Sequence, residues 1–365
     1  MTTTAPTAAD VAVAAPDPDE LDAFMGRAVT DMGAAASAAL VLLGDQLGLY
    51  AALHAGGPQS PADLARRTGT NERLVREWLA NQTAGGYVEH DAASGTFSLN
   101  AVQAFALADP TSPVYLGGLT EVLAAIWRDL DDVADGFRTG KGVPWHAHSS
   151  CLFRGTERFF RPGYAANLVA EWLPALDGVV AKLTEGAKVA DVGCGHAAST
   201  VLMAEAYPAS TFHAFDYHPE SIARASEVVR GEGLGDRVTC EVASAQTIPG
   251  DGYDLICFFD CLHDMGDPVG AVRRAREVIA PDGTLFIVEP NAGDALTDNI
   301  NPVGRLFYAA STAICTSHGV SEGATDALGA QAGEARLTRV LNEGGFTRVR
   351  RATETPFNMV LEARP

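Results

Sequence analysis

An aspartate precedes two closely spaced glycines in Asp191-Val192-Gly193-Cys194-Gly195, and Ala197 completes the spacing G-x-G-x-x-A. Glycines so placed permit a tight strand-to-helix turn and let a ligand approach the backbone. The spacing by itself also satisfies the dinucleotide pattern, so the glycines leave the cofactor open. Asp191 discriminates. A carboxylate two residues before the first glycine would oppose a pyrophosphate, whereas it suits a ligand carrying an ammonium and a sulfonium, as S-adenosylmethionine does. Asp216 lies about 20 residues further on, at a strand end where its carboxylate can accept hydrogen bonds from both ribose hydroxyls of either cofactor. Ser244, in Ala243-Ser244-Ala245, stands where a polar side chain could meet an adenine amino group.

His263 follows a fourth strand, at the carboxyl edge of the sheet where ligands bind. An imidazole with an ordinary pKa of about 6.5 can take a proton from an acceptor hydroxyl near neutrality. The alternative is that His263 packs under the cofactor and only shapes the pocket. His146 and His148 are rival bases on the segment Gly140 to Tyr164, whose Gly, Pro and aromatic residues predict a long loop. Trp145 and Phe160 there are candidate walls of a substrate pocket. Phe307 and Tyr308, in an insert spanning residues 291–333, are candidates for the opposite wall. Metal-ligand spacing is lacking among the His, Cys and acidic residues, so no metal is expected. The six cysteines form no C-x-x-C pair and fit a reducing cytoplasm.

The elements that must position these groups alternate after Lys188. Strands are expected at 187–192, 211–216, 237–242, 253–259 and 283–288, with helices at 198–207, 219–231, 268–280 and 334–343. Segments 347–351 and 357–362 predict a closing hairpin. The fold class is α/β: a Rossmann-like, seven-stranded, mostly parallel sheet with an antiparallel terminal hairpin. Upstream, helical spacing runs from Leu21 to about Leu53, followed by capped helices at Ser60-Pro61 and Thr70-Asn71-Glu72. Two short strands around Asp91–Ser94 complete a winged-helix order. The expected domains are a disordered tail at 1–18, a winged-helix dimerisation domain at 19–110, a bridging helical segment with pocket residues at 111–180, and a cofactor-binding catalytic domain at 181–365.

Composition narrows the partners. A net charge of −20 opposes nucleic acid and anionic membranes. Residues 60–100 hold four arginines, no lysine and five acidic residues, which is no basic stripe for DNA. The apolar run Met32 to Gly44 is shorter than the roughly 20 residues of a membrane span and reads as a core helix. The N-terminus has no basic stretch of the kind a signal peptide carries. Small residues Ala34 to Ala39 allow close helix contact, and a homodimer is expected.

The chain resembles the class I methyltransferases, in particular those with an N-terminal winged-helix domain. The resemblance rests on Asp191-x-Gly193-x-Gly195, on Asp216, on the run Phe258-Phe259-Asp260-Cys261-Leu262-His263-Asp264-Met265, on Val288-Glu289-Pro290 and on the closing segment from Phe346. It implies an S-adenosylmethionine-dependent enzyme methylating a small-molecule acceptor, more readily at oxygen than at nitrogen or carbon. It also implies Phe259 and Asp260 beside the cofactor. His263-Asp264-Met265 matches a His-Asp-Trp setting in plant O-methyltransferases, which makes His263 the base and sets Asp264 at the cofactor's border. Two residues depart from the family pattern: Ala197 stands in place of a glycine and puts a methyl near the cofactor's methionine end, and Ser244 stands where an aspartate is common. Competing readings are a winged-helix regulator with a ligand-sensing domain, a nicotinamide oxidoreductase, and a non-methylating enzyme on the same scaffold.

Overall fold

The computed structural model describes residues 15–365, which fall into two compact units divided between Ala104 and Phe105. In the first, Asp17 caps helix α1 (Pro18–Gln46) by accepting the N–H groups of Asp19 and Glu20. Of the expected tail, residues 1–14 lie outside the described residues, and 18 is already helical. Helices α2 (Leu49–Gly56), α3 (Pro61–Thr68) and α4 (Glu72–Ala84) follow, with Ser60 and Asn71 capping α3 and α4. Strands β1 (Glu89–Asp91) and β2 (Thr96–Ser98) pair antiparallel as the wing. Along α4, Arg73 pairs with Glu77 and Arg76 with Glu72, so its basic side chains are neutralised on the helix itself.

The expected core helix, Met32 to Gly44, holds for the end of that run and not for its start. Only the C-terminal end of α1 enters a core, through Val41, Leu42 and Gly44, while Leu21, Phe24, Met25, Val29 and Met32 are exposed within one chain. The reason is geometric: α2 and α4 reach only the last turns, where Trp78 donates its indole N–H to the Leu40 carbonyl. At 29 residues, α1 is also long and apolar enough to cross a membrane by length and composition, unlike the shorter run read from the sequence.

Helix α5 (Ala101–Leu107) spans the boundary between units. The second unit begins with α6 (Gly117–Arg128), α7 (Leu130–Thr139), α8 (Ser150–Asn167) and α9 (Val179–Glu185). The sheet then builds from β3 (Lys188–Val192), α10 (Ala198–Ala206), β4 (Thr211–Asp216), α11 (Pro219–Gly231), β5 (Val238–Val242), β6 (Tyr253–Phe259), α12 (Pro268–Val278) and β7 (Ile279–Pro290). Helices α13 (Pro302–Ala310), α14 (Thr316–Ser321) and α15 (Glu334–Glu343) precede the hairpin β8 (Arg348–Glu354) and β9 (Asn358–Arg364). The strand order is β5-β4-β3-β6-β7-β9-β8, with β9 antiparallel to β7 and to β8 and the other neighbours parallel. Strand residues alternate between two cores. Val189 and Leu255 join Trp172, Leu183 and Met203 on one face, while Ala190 and Ile256 join Val272 and Leu341 on the other. The chain steps outward from β3 to β5, then returns to β6 on the other side of β3, creating the switch point where α/β sheets bind ligands.

Three boundaries differ from the sequence reading. The segment at 111–180 belongs to the second unit, because Tyr164, Leu168, Trp172 and Leu173 fill one face of the sheet. The expected loop Gly140 to Tyr164 shortens to ten residues, since α8 starts at Ser150; Pro162, inside that helix, and Gly155 disguised it. Gly155 is needed there, as a Cβ would come within 2.8 Å of the Val122 backbone nitrogen on α6. Finally, β7 takes over at Ile279, where α12 was expected to continue.

Candidate active site

The loop after β3 turns through Gly193 (φ +76°) and Gly195 (φ +52°) into α10. Gly193 is doubly constrained, because a Cβ there would sit 2.7 Å from Cys261 Sγ. Ala197 also holds a left-handed backbone (φ +65°), which costs an alanine roughly 1 kcal/mol. Its methyl packs into the core rather than along the cleft, which corrects the expectation of a methyl near the cofactor's methionine end. Asp191 lies beneath the loop, 1% exposed. Its Oδ2 accepts hydroxyls from Ser199 (2.7 Å) and Thr200 (2.6 Å), and its Oδ1 is buried with no hydrogen-bond partner. Burial pushes its carboxyl up to about 6, against the lowering effect of the two hydroxyls.

A cleft of about 190 Å³ opens at the carboxyl ends of β3, β4 and β6. Of the residues expected to bind the cofactor, Gly193, Gly195, Asp216, Ser244, Phe259 and Asp260 line it and Asp191 does not; Asp264, expected at the cofactor's border, lines it too. Asp216 accepts the N–H groups of Gly195 (3.0 Å) and His218 (2.9 Å), which ties the glycine loop to β4. Ser244 exchanges a hydrogen bond with Thr247. The opposite wall comes from α8 through Phe153, Glu157, Phe160, Arg161 and Tyr164, and from His318 of α14. Glu157 accepts from the His196 ring at 3.2 Å and pairs with Arg161 at 3.6 Å. Phe160 was a candidate wall from the sequence; Glu157 and Arg161 were not, because they sit in what resembled a loop.

Asp260 also adopts a left-handed backbone, φ +50°. Its carboxylate is held by the Tyr164 hydroxyl (2.8 Å) and the Asn358 amide (2.9 Å). Burial first, then the neighbouring Glu289 charge, pushes Asp260 up to about 8.

A second cavity, about 90 Å³ and almost wholly apolar, adjoins the first. Trp145, Phe160 and Phe307 line it, as expected of substrate-pocket residues, together with Leu119, Val122, Leu123 and Ile126 of α6. His263, Asp264, Asp260 and Thr156 are its polar groups, and its lining includes no lysine or arginine among the described residues. The remaining pocket candidates lie elsewhere. His146 is exposed, His148 is buried against Asp129 at 3.0 Å, and Tyr308 faces neither cavity. Both histidines belong to the turn before α8, and the Asp129 bond draws His148 away from the cavity.

His263 is buried at 4% exposure. Its Nδ1 is bonded to Glu289 Oε2, while Glu289 Oε1 accepts the backbone N–H groups of Leu262 (3.0 Å) and His263 (3.3 Å). Asp264 Oδ1 lies 3.2 Å from Nε2 without lining up as a hydrogen bond, and is itself a buried oxygen without a partner. Burial alone would lower the His263 pKa; the Glu289 and Asp264 carboxylates override it and raise it well above the ordinary 6.5. Burial likewise would raise Asp264, and the adjacent imidazolium holds it below its ordinary value. Glu289 was given no role from the sequence. Its only signal was a strand-end carboxylate before Pro290, distant in sequence from His263.

Two family models match the chain: a methyltransferase domain over residues 183–345 and an Rv2258c-like winged HTH domain over residues 35–109. A mitomycin biosynthesis 6-O-methyltransferase of Streptomyces lavendulae is 27% identical over 268 residues, which cover 69% of this chain and 72% of that protein. Among solved structures, the mitomycin 7-O-methyltransferase MmcR superposes with a TM-score of 0.70 at 20% identity, covering 95% of this chain and all of that one. Human N-acetylserotonin methyltransferase in complex with SAM superposes with a TM-score of 0.68 at 16% identity, covering 96% of this chain and 98% of the human chain.

Proposed function

We propose, for a chain that belongs to the S-adenosylmethionine-dependent methyltransferases with an N-terminal winged-helix domain, that the methyl group goes to a hydroxyl of a small apolar molecule and that His263 takes the hydroxyl proton. The observation that carries this reading is the Glu289–His263 pair at the polar end of an otherwise apolar cavity. The donor set of the neighbouring cleft suits the cofactor. Asp191, beneath the glycine loop, keeps a buried oxygen without a partner, and a Cβ added to Gly195 would meet nothing within 4 Å. When bound, S-adenosylmethionine supplies a methyl group activated by its sulfonium.

The residues divide the remaining work. Asp216 has lone pairs left beyond its two backbone donors, and these would receive the ribose hydroxyls. Ser244 would meet the adenine. Glu157 and Arg161 offer opposite charges to the ammonium and carboxylate of the amino-acid end. Phe259 packs the cleft floor, and Asp264, held in its charged form by the adjacent imidazolium, places negative charge beside a cationic ligand. With Nδ1–H donated to Glu289, neutral His263 keeps an Nε2 lone pair for the acceptor proton. The two carboxylates then stabilise the imidazolium. Their effect also makes the charged ring the resting form, so each turnover starts with loss of that proton.

The acceptor lies in the apolar cavity against Trp145, Phe160 and Phe307. Methylation at oxygen agrees with the names of the mitomycin relatives, and a biosynthetic role is carried over from them. The exposed apolar residues of α1, from Leu21 to Met32, suit burial in a homodimer, and the six free thiols suit the cytoplasm. Self-paired arginines on α4 argue against a DNA-binding role.

Isothermal titration with S-adenosylmethionine tests cofactor use: heat in the wild type that Asp216→Ala loses supports it, and no heat in either protein overturns it. Mass spectrometry of hydroxylated acceptors tests the reaction. A product heavier by one methylene is expected, formed far more slowly by His263→Ala; an equal rate in that variant overturns the base assignment.

A further inference from the structure

His263, Asp264 and Cys315 bring three different ligand atoms within 4.8 Å of one another, at the wall of the apolar cavity. Cys315 reaches this point through a π-helical turn, Ser311–Cys315, of the kind that often marks a functional position in a helix. Three observations converge on a cation. The His263 ring is oriented by Glu289 on Nδ1, the carboxylate–histidine arrangement that fixes a metal-binding imidazole and leaves Nε2 as the ligand atom. Asp264 Oδ1, fully buried, has no hydrogen-bond partner although it lies 3.2 Å from that nitrogen. Asp264 and Glu289 also flank one imidazole, one at each ring nitrogen, beside a cavity whose lining has no lysine or arginine among the described residues.

We propose that His263, Asp264 and Cys315 form a zinc-class metal site with an open fourth position toward the acceptor cavity, and that its occupancy switches the methyltransferase off. This rests on the reading of His263 as the base. Bond lengths of about 2.0 Å to nitrogen and oxygen and about 2.3 Å to sulfur give ligand atoms roughly 3.2–3.8 Å apart in a tetrahedron. The His263–Asp264 separation of 3.2 Å already fits, and Cys315 Sγ lies within 4.8 Å of both atoms. Binding forms Zn–N, Zn–O and Zn–S bonds and releases the thiol proton together with the Nε2 proton of the resting imidazolium; no oxidant or reductant is involved. A carboxylate and a thiolate then neutralise the divalent charge. With Nε2 held by metal, the acceptor hydroxyl has no base.

Cobalt(II) is the probe, titrated into the full-length protein after chelator treatment. A near-ultraviolet thiolate-to-cobalt charge-transfer band is expected in the wild type and in Cys240→Ser. It should vanish in Cys315→Ser, and cobalt affinity should fall about tenfold or more in Asp264→Asn. Zinc should displace the cobalt and abolish methylation, with recovery on adding chelator. The proposal is overturned by absence of the band in the wild type, by its persistence in Cys315→Ser, or by zinc binding that leaves methylation intact. Circular dichroism establishes that each variant is folded, and the Asp264→Asn titration decides the matter should Cys315→Ser fail to fold. Titration of metal-free protein with S-adenosylhomocysteine reads the cofactor site separately, so failure there touches the methyltransferase reading and not the metal site.

Discussion

Replacing Glu289 by glutamine changes one atom and reverses the polarity of the group facing His263. The carbonyl oxygen of the new side-chain amide can still accept the backbone N–H groups of Leu262 and His263, now 3.0 and 3.3 Å from Glu289 Oε1, so the turn after β6 is preserved. The amide nitrogen then presents a donor to Nδ1, which must become an acceptor, and the neutral ring carries its proton on Nε2. A base whose lone pair points away from the cavity cannot take the acceptor proton. The expected loss in turnover is about 10²- to 10⁴-fold, the usual worth of general-base catalysis. That corresponds to about 3–5 kcal/mol of activation free energy. The pH dependence sharpens the test. Wild-type activity should rise with pH through an apparent value above 6.5, because Glu289 and Asp264 keep the ring charged in spite of burial. Losing one charge-assisted bond worth about 1.5–3 kcal/mol moves the residual activity limb of the variant about 1–2 pH units lower. The assay is single-turnover methylation across pH 5–10 at saturating S-adenosylmethionine, with cofactor affinity measured alongside. A variant that turns over within about twofold of wild type, or whose limb does not move, refutes the assignment of His263 as a base oriented by Glu289.

Asp216→Ala removes the proposed ribose acceptor and leaves the Gly195 and His218 N–H groups without it, so S-adenosylhomocysteine affinity should fall about 10- to 100-fold by titration calorimetry. Asp191 titrates up to about 6 in the fold against an ordinary 3.8, so its stabilising effect is present below the unfolded value and disappears as pH rises through 6. Asp191→Asn cannot ionise, and its ligand-free melting temperature at pH 7 should exceed wild type by the equivalent of about 1–3 kcal/mol while cofactor binding weakens; a lower melting temperature at pH 7 contradicts the buried-charge argument. For His263 the folded pKa is also raised, so the stability it contributes is complete below 6.5 and is lost above, and the stability gap between wild type and Glu289→Gln should narrow as pH climbs. Phe24→Glu combined with Val29→Glu places charge on the exposed face of α1 and should convert a dimer to a monomer in light scattering, whereas a wild-type monomer at working concentration removes the dimer proposal.

The sheet was legible because each of its signals is local. Gly193, Gly195 and Asp216 announce themselves by spacing, and the strand and helix periods between residues 188 and 290 follow directly from which side chains the two sheet faces bury. The acceptor side was only partly legible, because its groups are assembled from distant segments. Leu119 to Ile126 carry no motif. Tyr164 and Glu157 sit on a helix disguised by Gly155 and Pro162, whose glycine is set by close approach to α6, a tertiary cause that no window of sequence displays. His146 and His148 drew attention as histidines among aromatics, yet one is exposed and the other is bound to Asp129. Glu289 shows why residue type alone misleads here. As a lone carboxylate at a strand end it is commonplace; only β6 and β7 lying side by side, with Phe259 opposite Val288, bring it under His263. The same register places Asp260 and Asp264 at the border of the two cavities, so one strand pairing fixes both the orientation of the His263 ring and the carboxyl groups that line the cleft. A one-residue slip between β6 and β7 would turn Glu289 to the other face of the sheet and undo both arrangements together.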